Sequence, residues 1–166
     1  MPKHVLAKLE IELRELKQTL LIEIPREIGN AASQGDLSEN AEYEQALAKR
    51  DMYQSKVVAM EKRIAEVANL DITRLPKDRV AYGSRVTLLD LDTENKVTFH
   101  LVLPEELGTG KDQLSISSPI GMALVGLEVG AEVKVRIPAG TRRYEVLDLV
   151  TIHAQVKPAV GRQKGA

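Results

Sequence analysis

The strongest constraint on this chain is a heptad repeat that occurs twice. Leu6, Leu9, Leu13, Leu16 and Leu20 follow one another at spacings of 3, 4, 3 and 4. That spacing lines them along one stripe of a helix and makes the seam of a two-helix coiled coil. The register then slips to fours through Ile24, Ile28 and Ala32. Pro25 falls inside this run. A proline lacks the amide proton of the helix ladder and its ring collides with the carbonyl four residues back, so a kink or local break is expected there. A second run, Tyr43, Ala46, Arg50, Tyr53, Val57, Met60, Ile64 and Val67, alternates threes and fours throughout. Arg50 breaks its apolar character, and the aliphatic stem of an arginine can lie in the groove while its head reaches water. Two such stripes joined by a short connection predict an antiparallel α-hairpin, with arms of roughly 45 Å for about 30 residues each.

The connection is Gly35-Asp36-Leu37-Ser38-Glu39-Asn40-Ala41-Glu42-Tyr43. Between Glu27 and Ala48 the acidic residues are Glu27, Asp36, Glu39, Glu42 and Glu44, and no Lys, Arg or His occurs. A hairpin tip is an exposed place, and this one is anionic. Asp36 and Glu39 lie three apart, which brings both carboxylates near one face of a first helical turn. Clustered carboxylates without a basic partner suit a hard cation such as Mg²⁺, which prefers oxygen ligands and keeps much of its water. The same four residues also fit a capping box, with Asp36 as N-cap and Glu39 reaching back, and capping can operate alongside metal binding. Glu42 and Glu44 read as solvated helix faces, and Tyr43 as a seam residue supporting the tip.

After Leu70 the pattern changes. Pro76 and Lys77-Asp78-Arg79 mark a linker, and short β-rich runs follow. Strands are expected over 86–91 and 96–103 around a turn at Asp92-Thr93-Glu94-Asn95, then over 114–117. Ser118-Pro119 reads as an N-cap and first helical residue, opening a short helix that stops at Gly126. Strands over 132–137 and 143–150 flank a turn at Pro138-Ala139-Gly140. The fold class is therefore α+β: a helical hairpin followed by a small antiparallel sheet with one helix. The chain has no Cys, which excludes disulfides, zinc-thiolate sites and a Cys nucleophile. No run approaches the about 20 apolar residues of a membrane span, so a cytoplasmic protein without a membrane partner is expected. A net charge of −1 and 3% aromatic residues give no sign of a nucleic-acid surface or a base-stacking platform. His4, His100 and His153 stand apart in the sequence and receive no role.

The nine-residue tip closely resembles the signature of the Gre transcript-cleavage factors of bacterial RNA polymerase. Lys8-Leu9-Glu10 through Leu16-Lys17 looks like that family's first helix, and Pro25-Arg26-Glu27-Ile28 like its proline-containing segment. Ile116-Ser117-Ser118-Pro119-Ile120-Gly121 and Ala123-Leu124-Val125-Gly126 look like its C-terminal motif. The resemblance covers roughly residues 5 to 150. It implies a coiled-coil hairpin over 1–75 with its tip at 35–43 and an FKBP-like polymerase-docking domain over 76–154. The tail over 155–166, beyond the resemblance and carrying Gly161, Gly165 and scattered Lys and Arg, is expected to be disordered. The resemblance further implies that Asp36 and Glu39 help to hold a Mg²⁺ ion and its attacking water in the polymerase active site, reached through the secondary channel. There the polymerase, not the factor, cuts the 3′ end of a backtracked RNA. Leu37, Asn40 and Tyr43 would support the tip, and Ser117, Ser118, Pro119 and Ile120 would dock on the polymerase. The free factor is expected to be a monomer. Where the family often carries basic residues, this chain has Leu47 and Met122. A Gre-like inhibitor that plugs the same channel keeps an acidic tip as well, and is the competing expectation. A prolyl isomerase is disfavoured, since its pocket is lined by aromatic side chains and the C-terminal domain has Tyr82, Phe99 and Tyr144 alone.

Overall fold

A computed structural model describes residues 2–33 and 37–155, without the side chains of 37–39. The chain divides into two compact units, Met1–Asp71 and Ile72–Ala166.

The first unit is the helical hairpin. Helix α1 spans Lys3–Gln18, α2 spans Ile24–Ala32 and α3 spans Leu37–Ala68. At 1.5 Å per residue α3 alone is about 48 Å long. The two heptad runs form the seam as the spacing predicts. Leu6, Leu9, Ile24, Ala46, Val57 and Val67 are buried, and the other predicted seam residues are half-buried. Ala32 is the exception: it is exposed, and Ala31 takes the half-buried place, because the stripe has rotated by one residue at the end of α2.

Pro25 does not break the ladder; it widens it. Residues Thr19–Glu23 form a π-helical segment, in which the Ile24 amide reaches back five residues to the carbonyl of Thr19. A wider turn lets the chain pass the proline ring without the collision a regular α-turn would force. None of its residues is buried. Ile24 resumes the seam immediately afterwards and is fully buried.

The second unit is a five-stranded sheet of order β3-β2-β1-β5-β4. Its strands are β1 (Arg85–Asp90), β2 (Lys96–Val102), β3 (Gln113–Ser115), β4 (Glu132–Ile137) and β5 (Gly140–Val150). The expected all-antiparallel sheet is corrected at one edge: β3 runs parallel to β2, pairing Leu101 with Leu114 and Val102 with Ser115. A strand of three residues needs a return path of only about 7 Å, and residues 103–112 supply it. Glu106 ties that path down. Its carboxylate accepts the Leu103 amide at 3.2 Å and the Tyr82 hydroxyl at 2.7 Å. Burial first, and then this bond, push the Tyr82 hydroxyl far above its ordinary pKa, so it remains a donor.

Strand β5 starts three residues earlier than expected, so Ile137 pairs directly with Gly140 across Pro138-Ala139. The β1–β2 turn is organised by Asp90, whose carboxylate accepts the amides of Asp92 at 2.9 Å and Thr93 at 3.1 Å. This is the way short acidic side chains imitate a backbone turn. Helix α4 (Pro119–Leu124) closes one face of the sheet over a core of Val80, Val86, Leu88, Leu101, Leu124, Val135, Tyr144 and Val146. Gly121 is required there, because a Cβ at that position would overlap the carbonyl oxygen of Ser115.

A last short helix closes the described part of the unit. Helix α5 covers Ile152–Gln155, and the Gln155 amide nitrogen bonds the carbonyls of Gly83 at 2.8 Å and Val150 at 2.9 Å. His153 contacts the Leu75 carbonyl at 2.8 Å and so has a structural role that the sequence did not suggest. Residues 156–166 lie outside the described residues.

Two outcomes follow from this packing. Gly121→Ala should destabilise the β unit by about 1–3 kcal/mol through overpacking, read as a lower denaturant midpoint in the β-sheet circular dichroism. The second concerns acid. The carboxyl of Asp90 is held below the usual aspartate range, chiefly by the Thr93 amide. Its contribution is complete above the ordinary aspartate value, near pH 4, and disappears as pH falls through its own lower value. Asp90→Asn should therefore flatten the acid limb of the stability–pH curve, measured by urea unfolding between about pH 2.5 and 6.

Candidate functional site at the hairpin tip

The tip follows from the way the two arms end. Helix α2 closes at Ser33, whose amide bonds the Gly29 carbonyl at 3.2 Å and whose hydroxyl bonds that of Asn30 at 2.8 Å. Helix α3 begins at Leu37, so Ser38 and Glu39 belong to its first turn. Backbone amides are free at such an end and favour negative charge. Asp36 lies outside the described residues, and so do the side chains of Leu37, Ser38 and Glu39. The capping box proposed for Asp36 and Glu39 therefore lies outside them too.

The residues that follow are described. Asn40, Glu42 and Glu44 are exposed, and Tyr43 is half-buried on the seam side with Ala46 buried one turn on. Behind them Lys49 donates to both carboxylate oxygens of Glu27, at 3.0 and 3.2 Å, and so joins α3 to α2. The hydrogen bond to Glu27 raises the Lys49 pKa above its ordinary value. The first basic side chain on α3 behind the tip is thereby paired, and on α2 the first is Arg26, one residue behind Glu27. A cleft of about 360 Å³ opens beside this pair, lined by Glu27, Asn30, Ala31, Glu42, Gln45 and Lys49.

Among the described residues no three His, Asp or Glu side chains converge on a metal position. The donor chemistry of the tip nonetheless fits a hard divalent ion. Asp36 and Glu39 are both carboxylates, three apart in sequence, and Glu39 stands in a helical first turn. Two carboxylates leave most of an octahedral shell to water or to another molecule.

The second candidate surface lies at α4, and its predicted residues divide into two kinds. Ser118 caps the helix, accepting the Gly121 amide at 3.0 Å and donating to the Ser115 carbonyl at 2.6 Å. Ile120 packs against the core, while Ser117 and Pro119 are exposed. Sequence reasoning noted Met122 only as a departure and missed the apolar surface it makes with Val125 and Val129: the three are 62%, 46% and 56% exposed. The signal was present, since residues 119–129 hold more apolar side chains than one face of a six-residue helix can bury.

A long antiparallel hairpin with an acidic turn, joined to a separate small α+β unit, sets the class, and sequence comparison agrees. Residues 1–68 match the N-terminal domain of transcription elongation factors, and residues 75–151 match the C-terminal domain of the transcription elongation factors GreA and GreB. The chain belongs to the GreA/GreB family of transcription elongation factors. The transcription elongation factor GreA of Rickettsia canadensis is 41% identical over 142 residues, which span 86% of this chain and 88% of that protein. That of Thermodesulfovibrio yellowstonii is 37% identical over 138 residues, 81% of this chain and 87% of that protein. Among solved structures, the GreA factor homolog Gfh1 of Thermus thermophilus superposes on 87% of this chain and 94% of its own, with 20% identity and a TM-score of 0.38.

Substitutions at α4 should separate support from surface. Ser118→Ala removes a cap and should cost about 1 kcal/mol of stability. Ser117→Ala should leave stability within about 0.5 kcal/mol, as at other exposed positions. Denaturant unfolding of the two variants checks both.

Proposed function

We propose that this chain enters the secondary channel of bacterial RNA polymerase and stimulates Mg²⁺-dependent cleavage of backtracked RNA through Asp36 and Glu39. The observation that carries the reading is the charge of the described tip region. Glu42 and Glu44 are exposed, and the first cation behind them, Lys49, is already held by Glu27. An anionic turn at the end of a long helical arm is repelled by RNA but attracted to a metal centre. The β unit would supply the docking energy, with Ser117, Pro119 and the apolar Met122, Val125 and Val129 as its contact surface.

Metal-assisted phosphodiester hydrolysis uses bound Mg²⁺ to activate a water and to stabilise the leaving oxygen, with two ions about 3.5–4 Å apart. The chain's own part is to present two oxygen donors, Asp36 and Glu39, at the end of a long helical arm. Leu37, Asn40 and Tyr43 would support them. On this reading the polymerase carries out the hydrolysis, and the factor completes a weakly held part of its site when RNA has backtracked.

The test is transcript cleavage in backtracked complexes of the cognate polymerase, with wild type, Asp36→Asn and Glu39→Gln. Asn still caps a helix and Gln still completes a capping box, so the fold should hold while the anionic ligands are lost. Each variant should bind as wild type does and lose cleavage by roughly 100-fold or more, the scale at which removing one stabilising group slows catalysis. A wild type that binds, slows nucleotide addition and stimulates no cleavage would instead establish the channel-blocking inhibitor.

A further inference from the structure

The tipward part of the hairpin is thinly packed. In α2, Ile24 is the one fully buried residue, Ile28 and Ala31 are half-buried, and a side chain at Gly29 would meet nothing within 4 Å. On the facing helix the seam offers Tyr43 and Ala46 and then reaches Arg50. The Nε of Arg50 is buried without a hydrogen-bond partner, its ion-pair contact with the Asp51 carboxylate being a long 3.6 Å. The π segment at Thr19–Glu23 and Pro25 interrupt the regular ladder of the other arm on the baseward side of this level, as the Glu27–Lys49 and Lys17–Glu61 pairs show. Among the described residues, the two arms tipward of Pro25 are held together by small apolar contacts and the Glu27–Lys49 ion pair.

We propose that Glu27 and Lys49 are positioning residues: their ion pair locks the tipward lobe, residues 24–33 and 40–49, and so fixes where the tip carboxylates point. The cleft beside the pair is the space into which α2 and α3 can shift when the lock is absent. The pair is partly exposed, with 37% and 48% of the two side chains accessible. Exposed pairs contribute little to global stability. They still bias a local equilibrium, which is all that aiming a tip requires. The inference rests on the proposed cleavage function for its consequence, but not for its geometry.

The experiment has two arms, both on the full chain. In the first, amide hydrogen exchange of the free protein compares wild type, Lys49→Met, Glu27→Gln and the reversal Glu27→Lys with Lys49→Glu. Each single variant should speed exchange about two- to fivefold in residues 24–33 and 40–49. Exchange at 3–18 and 57–67 should not change, and the reversal should restore the wild-type pattern. In the second, RNA cleavage is measured against factor concentration. The single variants should lower the maximal rate two- to fivefold at an unchanged half-saturating concentration, and the reversal should recover it.

Unchanged exchange in the tipward lobe overturns the proposal, whatever happens to cleavage. So does a raised half-saturating concentration without a change in maximal rate, because Lys49 would then be a contact of its own. A reversal that fails to restore either readout overturns it too. If wild type stimulates no cleavage, the functional reading fails by itself and the exchange arm alone decides the lock.

Discussion

The seam between the two arms is the interaction on which the hairpin depends. A helix the length of α3 has no reason to stay straight and single in water; it does so because every third or fourth residue is taken out of solvent by the opposite arm. The seam also sets the register, and register decides which side chains stand at the turn. Tyr43 and Ala46 belong to the apolar stripe, and their neighbours Glu42 and Glu44 are turned outwards in consequence. The negative charge at the tip is therefore a result of coiled-coil periodicity as much as of composition.

The β unit solves a different problem, which is to close a small core with a single short helix. Polar atoms at its rim are matched locally. Asp90 organises one turn, Glu106 the crossover, and Ser118 the start of α4. Each uses a side-chain oxygen to take up amides that the sheet leaves over. Helix α4 can then lie against Ser115 because Gly121 has no side chain, and it leaves the sheet at Gly126, whose φ of +91° suits glycine. The apolar residues that α4 cannot turn inwards remain on the outside, where a partner could cover them.

Much of this could be read from the sequence, for reasons that differ from element to element. The arms were legible because heptads are long-range patterns that few other folds produce. Ser118-Pro119 was legible because a cap and an N1 proline are local chemistry. The parallel pairing of β3 was not, since it is set by where a ten-residue connection returns to the sheet (residues 103–112). The π segment was not either. Pro25 announced a disturbance, but nothing local says whether a helix will break, bend or widen. At the site, the tip motif was plain, while the Glu27–Lys49 contact was hidden because the two residues are 22 apart. Only a register for the hairpin brings them together. His153 and Gln155 escaped notice for a similar reason: their partners, Leu75 and Gly83, lie at the other end of the same unit.

The widened turn at Thr19–Glu23 has a consequence for how residue number relates to reach along the arm. In a strictly regular helix, adding or removing a residue rotates everything beyond it by about 100° and destroys the match with the opposite strand of the coil. A π turn is the local form such a surplus takes, confined to one place and leaving the flanking helices undisturbed. The arm is in effect a ruler with an adjustable joint. Its count of residues and its reach are therefore not strictly proportional.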